Sequence, residues 1–310
     1  MTVIYVVAGV VAFLLLLNLK TSRPDGVLIK AAHKYRKMMP YLMRGRNESV
    51  VYFDSYVKCE ELLDYIEEAN QHFECDLTHC IVAAGAIGLH ENPPMNRFVV
   101  GRRLYQRKGT WVTFSMKRKK MDRSSKVSIS KLESTPDDTF AAFADRMAGN
   151  IKVERSDAKT YVDKELDIFM ILPRPLLRGM VALVRQLDYY NLLPGGFIKG
   201  DAMYTSMVIA NLGSLKMGAG YHHLYEWGTC PLFLMVGQIE VQPVVEDGQV
   251  VPRKILHLRW SYDERIDDGL NARFGIDAVV RVLENPRQYL GCLSPDGADR
   301  RPFLPPNEAA

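Results

Sequence analysis

Between Arg259 and Gly269 the chain reads Arg-Trp-Ser-Tyr-Asp-Glu-Arg-Ile-Asp-Asp-Gly. Asp263, Glu264, Arg265 and Asp268 crowd ionisable groups into one short turn, and a carboxylate such as Glu264 held in a cleft can accept a proton. The elements that must position these groups lie on either side. Ile255 to Tyr262 is an apolar, partly aromatic run suited to a strand, and Leu270 to Leu283 has apolar spacing suited to a helix that ends at Asn285-Pro286. Gly269 lets the backbone turn between them. Charges delivered into such an elbow need partners if they are buried.

A second constellation lies upstream. Thr205-Ser206-Met207-Val208-Ile209-Ala210-Asn211-Leu212-Gly213-Ser214 followed by Pro231 to Gly237 predicts strand, glycine turn, loop and strand. Between them stand His222 and His223. In an extended stretch two adjacent side chains face opposite ways, which disfavours a shared metal ion and leaves either imidazole as a candidate base or as packing beside Tyr225 and Trp227.

The elbow, together with Leu283-Glu284-Asn285-Pro286, resembles the signature of the 2-oxoacid dehydrogenase acyltransferases and of chloramphenicol acetyltransferase. That signature runs Asp/His-His-Arg/x-x-x-Asp-Gly, and its second position is a catalytic histidine that deprotonates a coenzyme A or dihydrolipoyl thiol. Glu264 stands there. Val208 to Gly213 is similar to the family's Thr-x-Ser-Asn-Leu-Gly strand, whose serine donates to the oxyanion, and Ala210 takes the serine's place. Pro94-Met95-Asn96, after the apolar helix Leu77 to Leu89, is similar to the family's Pro-x-Asn motif. The resemblance implies an α/β two-layer sandwich with a mixed sheet, trimers with active-site channels between subunits, a structural role for Asp268 paired to an arginine from elsewhere, and a site lined by Asn211, His222, His223 and Arg265.

Magnitudes weigh the two replacements. A histidine at about 6.5 facing a thiol at about 8.5 works uphill by roughly 3 kcal/mol, a glutamate at about 4.3 by nearly 6 kcal/mol. Losing an oxyanion donor costs about 10²- to 10³-fold more. The pair of changes cripples acyl transfer by the family's route unless other groups take over.

The rest of the chain sets the context. Its 310 residues are 47% hydrophobic and 25% charged, enough to bury a sizeable core, and a net charge of +4 is too mild to argue for nucleic acid. Residues 1–19 have no charged side chain and predict a marginal, uncleaved transmembrane anchor, with a buried core helix or a cleaved signal as alternatives. The cations after it, from Lys20 to Arg46, put the body on the cytoplasmic face of a cell membrane by the positive-inside rule. Lys30 to Arg46 reads either as a lipid-facing segment or as an ordinary solvated helix face. The domain reading is 1–19 anchor, 20–34 basic linker, 35–290 acyltransferase-like body and 291–310 flexible tail. Cys59, Cys75, Cys80, Cys230 and Cys292 are odd in number and scattered, which suits reduced thiols, and Cys75 with His79 and Cys80 lacks a second cluster to complete a metal site. No cofactor is implied with certainty, coenzyme A being the candidate.

Two functions stay open at this stage. One is a membrane-anchored, non-catalytic trimeric scaffold or binding module. The other is an acyltransferase on coenzyme A or a pantetheine or lipoyl thioester, with Glu264 as base and Asp268 holding the elbow.

Overall fold

The structure, a computed structural model, describes residues 2–117, 127–155, 169–291 and 301–305. The basic stretch between Lys117 and Val127, the start of the helical region expected from Leu166, and Cys292 lie outside those residues.

Alternating β-branched and aromatic residues produce the strands. Six of them, β2 (Val50–Lys58), β9 (Gln249–Asp263), β8 (Leu232–Glu246), β7 (Met207–Asn211), β5 (Thr110–Lys117) and β6 (Val127–Ser134), lie in that order in one sheet. β7 runs parallel to both β5 and β8, and the remaining pairs are antiparallel, so the sheet is mixed. A second, three-stranded sheet joins β1 (Gly26–Leu28), β4 (Arg103–Arg107) and β3 (Arg97–Val100).

One face of the large sheet carries the main core. Phe114, Ile209, Leu234, Leu258, Trp260 and Tyr262 point to it and are at most 1% exposed. Over them lie α3 (Glu60–Ala69), α4 (Leu77–Glu91), α5 (Phe140–Arg155) and α8 (Gly269–Glu284). In α4 every residue from His79 to Leu89 is buried, as expected for a helix apolar on all sides. Asp76 caps it, accepting from the Thr78 and His79 amides at 2.8 and 3.1 Å. At the far end Asn96 of the Pro-Met-Asn turn donates to the Gly109 carbonyl at 2.9 Å and so pins the start of β5.

The remaining helices are α1 (Thr2–Leu19), α2 (Lys34–Leu42), α6 (Arg174–Tyr189), α7 (Gly195–Gly200) and α9 (Pro286–Tyr289). α1 corrects the anchor expectation. Among the described residues no helix is long and apolar enough to cross a membrane. Eighteen residues at about 1.5 Å each reach roughly 27 Å, short of a hydrocarbon core of about 30 Å. The single-pass span, the membrane partner and the placement of the body beside a membrane therefore lose their support. Nor is α1 a core helix: Tyr5, Leu16 and Leu19 are 69%, 66% and 74% exposed. Its end is tied to the body by Arg103, which donates to the Asn18 side-chain oxygen at 3.1 Å and to the Lys20 carbonyl at 3.3 Å. At the other terminus, Phe303 is buried against Phe143, and its amide donates to the Asp138 carbonyl at 2.8 Å.

Glycine sets the approach of α4 to α8. A Cβ on Gly88 would stand 2.7 Å from Val279 Cγ2, whereas one on Gly149 in α5 would meet nothing within 4 Å. Alanine in place of helical glycine gains up to about 1 kcal/mol, and overpacking costs about 1–3 kcal/mol. Gly88→Ala is expected to lower the denaturant midpoint and Gly149→Ala to raise it slightly, read by urea unfolding monitored by circular dichroism.

Candidate functional site

The elbow forms where β9 runs out. Asp263 is its last strand residue and is 1% exposed, and Arg265 is 3% exposed. Their side chains make a two-pronged pair, Arg265 Nε to Asp263 Oδ1 at 2.8 Å and a terminal nitrogen to Oδ2 at 2.7 Å. Ser49 Oγ and the Arg265 amide also donate to Oδ1, at 2.9 and 3.1 Å. The other arm of the guanidinium donates to the Met43 and Arg44 carbonyls at 3.2 and 3.1 Å. A buried pair with every prong used in this way holds the turn in one geometry.

Two more arginines serve the same corner. Arg36 donates to the Glu264 carbonyl and, at 3.0 Å, to that of Asp267. Arg46 is buried and donates to the Tyr225 and Gly228 carbonyls at 3.0 and 2.6 Å, and burial pushes its guanidinium below the ordinary arginine range. Neither was singled out in the sequence as a site residue, because both sit in a basic run that reads as a solvated or lipid-facing helix. Arginines four residues before and six residues after Pro40, one inside a short helix and one just past it, are indistinguishable from surface charge without the carbonyls they meet.

Glu264 is half-buried, and its amide donates to the Ser49 carbonyl at 3.0 Å. Its carboxylate forms no hydrogen bond or ion pair among the described residues, and the adjacent Arg265 pairs with Asp263. Asp268 is exposed and caps α8, accepting from the Asn271 amide at 3.0 Å. Among the described residues no arginine pairs with Asp268, and Arg97 reaches its neighbour Asp267, which is 5% exposed, at 3.4 Å.

Ala210 and Asn211 occupy a different part of the sheet. Ala210 is level with Met235 on β8, which is level with Arg259 on β9. Asp263 lies four residues farther along β9, so at about 3.3 Å per residue and about 4.8 Å per strand it is roughly 16 Å from Ala210. One chain does not bring Ala210 and Glu264 together. The Ala210 methyl packs with Val208, Leu224, Cys230, Phe233 and Met235 in a small apolar cluster on the second face of the sheet. Asn211 donates to Thr78 Oγ1 at 3.1 Å and accepts from the Ser214 amide at 3.1 Å. It borders a cavity of about 310 Å³ that Thr78, Ser115, Ser214, Gly237 and Gln238 also line. Gly237 is required there, since a Cβ would fall 2.8 Å from the Ala219 amide nitrogen.

The histidines sit on the same second face. The residues between the 3₁₀ turn Gly213–Leu215 and β8 form a loop, so the two rings are not on opposite sides but 4.8 Å apart. His222 stacks on Phe233 at 4.0 Å, and its Nδ1 donates to the His223 carbonyl at 2.7 Å, which fixes the neutral tautomer. Burial, with His223 beside it, pulls its pKa below the ordinary value. Next to it Asp54 accepts from Arg259 and pairs with His257, both at 2.7 Å, and these hydrogen bonds hold its carboxyl below the usual range against the opposing effect of burial. Among the described residues no group of three or more His, Cys, Asp or Glu is placed to hold a metal ion. Cys75 and Cys80 lie 3.8 Å apart as buried free thiols.

Two outcomes follow from this geometry. Asp263→Asn leaves Arg265 buried beside a neutral amide and should cost about 3–5 kcal/mol in urea unfolding, whereas Asp268→Asn, at an exposed cap that accepts either residue, should cost only a few tenths. Because the folded pKa of His222 lies below its unfolded one, its contribution to stability is complete above about pH 6.5 and is lost as the pH falls toward the folded value. Proton NMR of the His222 ring, with His222→Gln as the assignment control, should show a midpoint below about 6.5.

Known proteins bear on both constellations. Residues 201–291 match the family described as 2-oxoacid dehydrogenases acyltransferase (catalytic domain). The succinyltransferase component of the 2-oxoglutarate dehydrogenase complex of Cupriavidus necator is 49% identical over 49 residues, 16% of this chain and 12% of that protein. The matched segment thus spans about an eighth of the length of that relative. In structure the chain is similar to the truncated catalytic core of the 2-oxoacid dehydrogenase multienzyme complex from Thermoplasma acidophilum, with a TM-score of 0.53, 14% identity, and coverage of 83% of this chain and 98% of that one. It is similar also to a chloramphenicol acetyltransferase, with a TM-score of 0.53, 12% identity, and coverage of 83% and 99%. At such identities the structural likeness shows the fold alone, and the family rests on the segment that carries β7 and the elbow. Residues 201–291, the segment that carries Ala210 and Glu264, are thus similar to the catalytic domain of the 2-oxoacid dehydrogenase acyltransferases, and that match spans less than a third of the chain.

Proposed function

We propose that this protein is an acyltransferase-fold binding module that assembles with copies of itself and does not transfer acyl groups by the family's route. The observation that carries the reading is the environment of Ala210. Where the family places an oxyanion-donating hydroxyl, a methyl group packs among Val208, Leu224, Phe233 and Met235, and a tetrahedral oxyanion there would meet apolar carbon instead of a donor. The elbow adds to this. Its arginine is spent on Asp263, and its base position holds a carboxylate, the weaker proton acceptor for a thiol by about 3 kcal/mol. Self-association is supported by the exposed aromatic second face, where Tyr52, Tyr56 and Tyr221 are 43%, 55% and 66% exposed. The similar Thermoplasma acidophilum protein is a core of a multienzyme complex.

One observation favours a second reading, an acyltransferase with Glu264 as base: its carboxylate is half-buried and engaged by no other group among the described residues. In that reading an acyl-coenzyme A or a lipoyl or pantetheine thioester is the donor.

A single set of measurements separates them. Sedimentation of the full chain should give three times its 35.2 kDa mass or a multiple of that. Assays with acetyl-coenzyme A and dihydrolipoamide should show no turnover above the uncatalysed rate, and the double change Ala210→Ser with Glu264→His should introduce it. Turnover by the unchanged protein that disappears in Glu264→Gln would establish the second reading.

A further inference from the structure

A cavity of about 340 Å³ opens behind the elbow, between β1, α2 and the β3–β4 turn, and its walls are charged with one sign only. Lys30, Arg36, Lys37, Arg102 and Arg103 line it, and no Asp or Glu does. Among the described residues none of the five pairs with a carboxylate. Arg36 and Arg103 each spend part of a guanidinium on carbonyl oxygens, Arg102 lies over the Tyr41 ring at 5.3 Å, and the exposed side chains of Lys30 and Lys37 make no hydrogen bond or ion pair among the described residues. Three half-buried guanidinium groups facing two ammonium groups repel one another, and a bound polyanion removes that repulsion.

The backbone makes a second, independent point. Gly101 and Arg102 form the tip of the β3–β4 hairpin with φ of 55° and 59°. A tight turn with both central residues at positive φ favours Asn, Asp or Gly there. Arginine is held in that conformation with its side chain directed to Tyr41 and the cavity, where glycine would be at ease.

We infer that this cavity binds a small organic molecule bearing two or more phosphate groups. Planar guanidinium groups bind phosphate oxygens in pairs, and ammonium groups add charge at a distance. Leu28 and Leu104 supply an apolar wall for the organic part. The site stands on these residues whatever becomes of the acyl-transfer question, although Arg36 joins the two places by donating to the Glu264 carbonyl from the cavity wall.

Calorimetric titration of the full chain with inorganic pyrophosphate, orthophosphate and an oligoglutamate peptide tests the inference. Pyrophosphate should bind at least about tenfold more tightly than orthophosphate, and its affinity should fall as salt rises from about 0.05 to about 0.3 M. Arg102→Gly, which suits the turn, should keep or raise the thermal midpoint while weakening pyrophosphate about tenfold, and Lys37→Ala should weaken it with the fold intact. Absence of pyrophosphate binding to the folded chain at low salt would overturn the proposal. So would binding indifferent to both substitutions, or oligoglutamate binding more tightly than pyrophosphate with the same sensitivity to them.

Discussion

The interaction on which the rest of the site depends is the buried ion pair between Asp263 and Arg265. It converts the end of a strand into a rigid corner. Asp263 uses both oxygens on Arg265 and receives Ser49, and Arg265 spends its third nitrogen on carbonyls of residues 43 and 44. The segment before β2, the elbow after β9 and, through Arg46, the loop before β8 are thereby fastened together. A pair this dry adds little net stability, because desolvation offsets most of its Coulomb energy. Its value is geometric: with every prong occupied, the turn has one low-energy arrangement, and Glu264 is held at its tip without a competing cation.

The two positions that the sequence resemblance singles out, 210 and 264, are treated differently by the fold. Ala210 is absorbed into a hydrophobic cluster on the second face of the sheet, where a polar group would need a partner to offset its burial. Glu264 stays unencumbered. The sheet register separates them within one chain, so any chemistry joining the two would have to be assembled between copies. The cavity beside Asn211 and the basic cavity behind Arg36 lie around different elements, and the elbow is structurally connected only to the second.

Charge in this chain has been redistributed inward. The segment from Lys30 to Arg46 has the composition of a solvated basic helix, yet Arg36 and Arg46 turn toward carbonyl oxygens of the elbow and of the loop before β8. Arg23 and Arg107 behave similarly, each pairing with Asp25, and Arg107 is pushed down to about 10 by burial. Buried arginines that bond to carbonyls tie irregular segments to the strands beside them. That is how long loops are held where the sheet cannot hold them.

Local pattern by itself determined the elements whose apolar periodicity is unambiguous. The helix from Leu77, the strand into the elbow, the helix that follows it and the turn at Pro94-Met95-Asn96 were all legible, and so was the mixed-sheet sandwich that the two motifs implied. Asp268, for which the resemblance implied an arginine partner, is instead the cap of α8, as Asp76 is of α4, each accepting from an amide within three residues. Tertiary structure decided the rest. In β6 the serines 128, 130 and 134 face inward and Val127 is exposed, the reverse of what hydrophobic alternation predicts, because the neighbouring elements supply that face with both contacts and hydrogen-bond partners. The Ser49 hydroxyl and the Met43 and Arg44 carbonyls that complete the Asp263–Arg265 pair, and the convergence of five cations on one cavity, depend on residues dozens to hundreds of positions apart. A side chain's charge and size are written in the sequence, but the groups that neutralise or surround it are chosen only when the chain closes on itself.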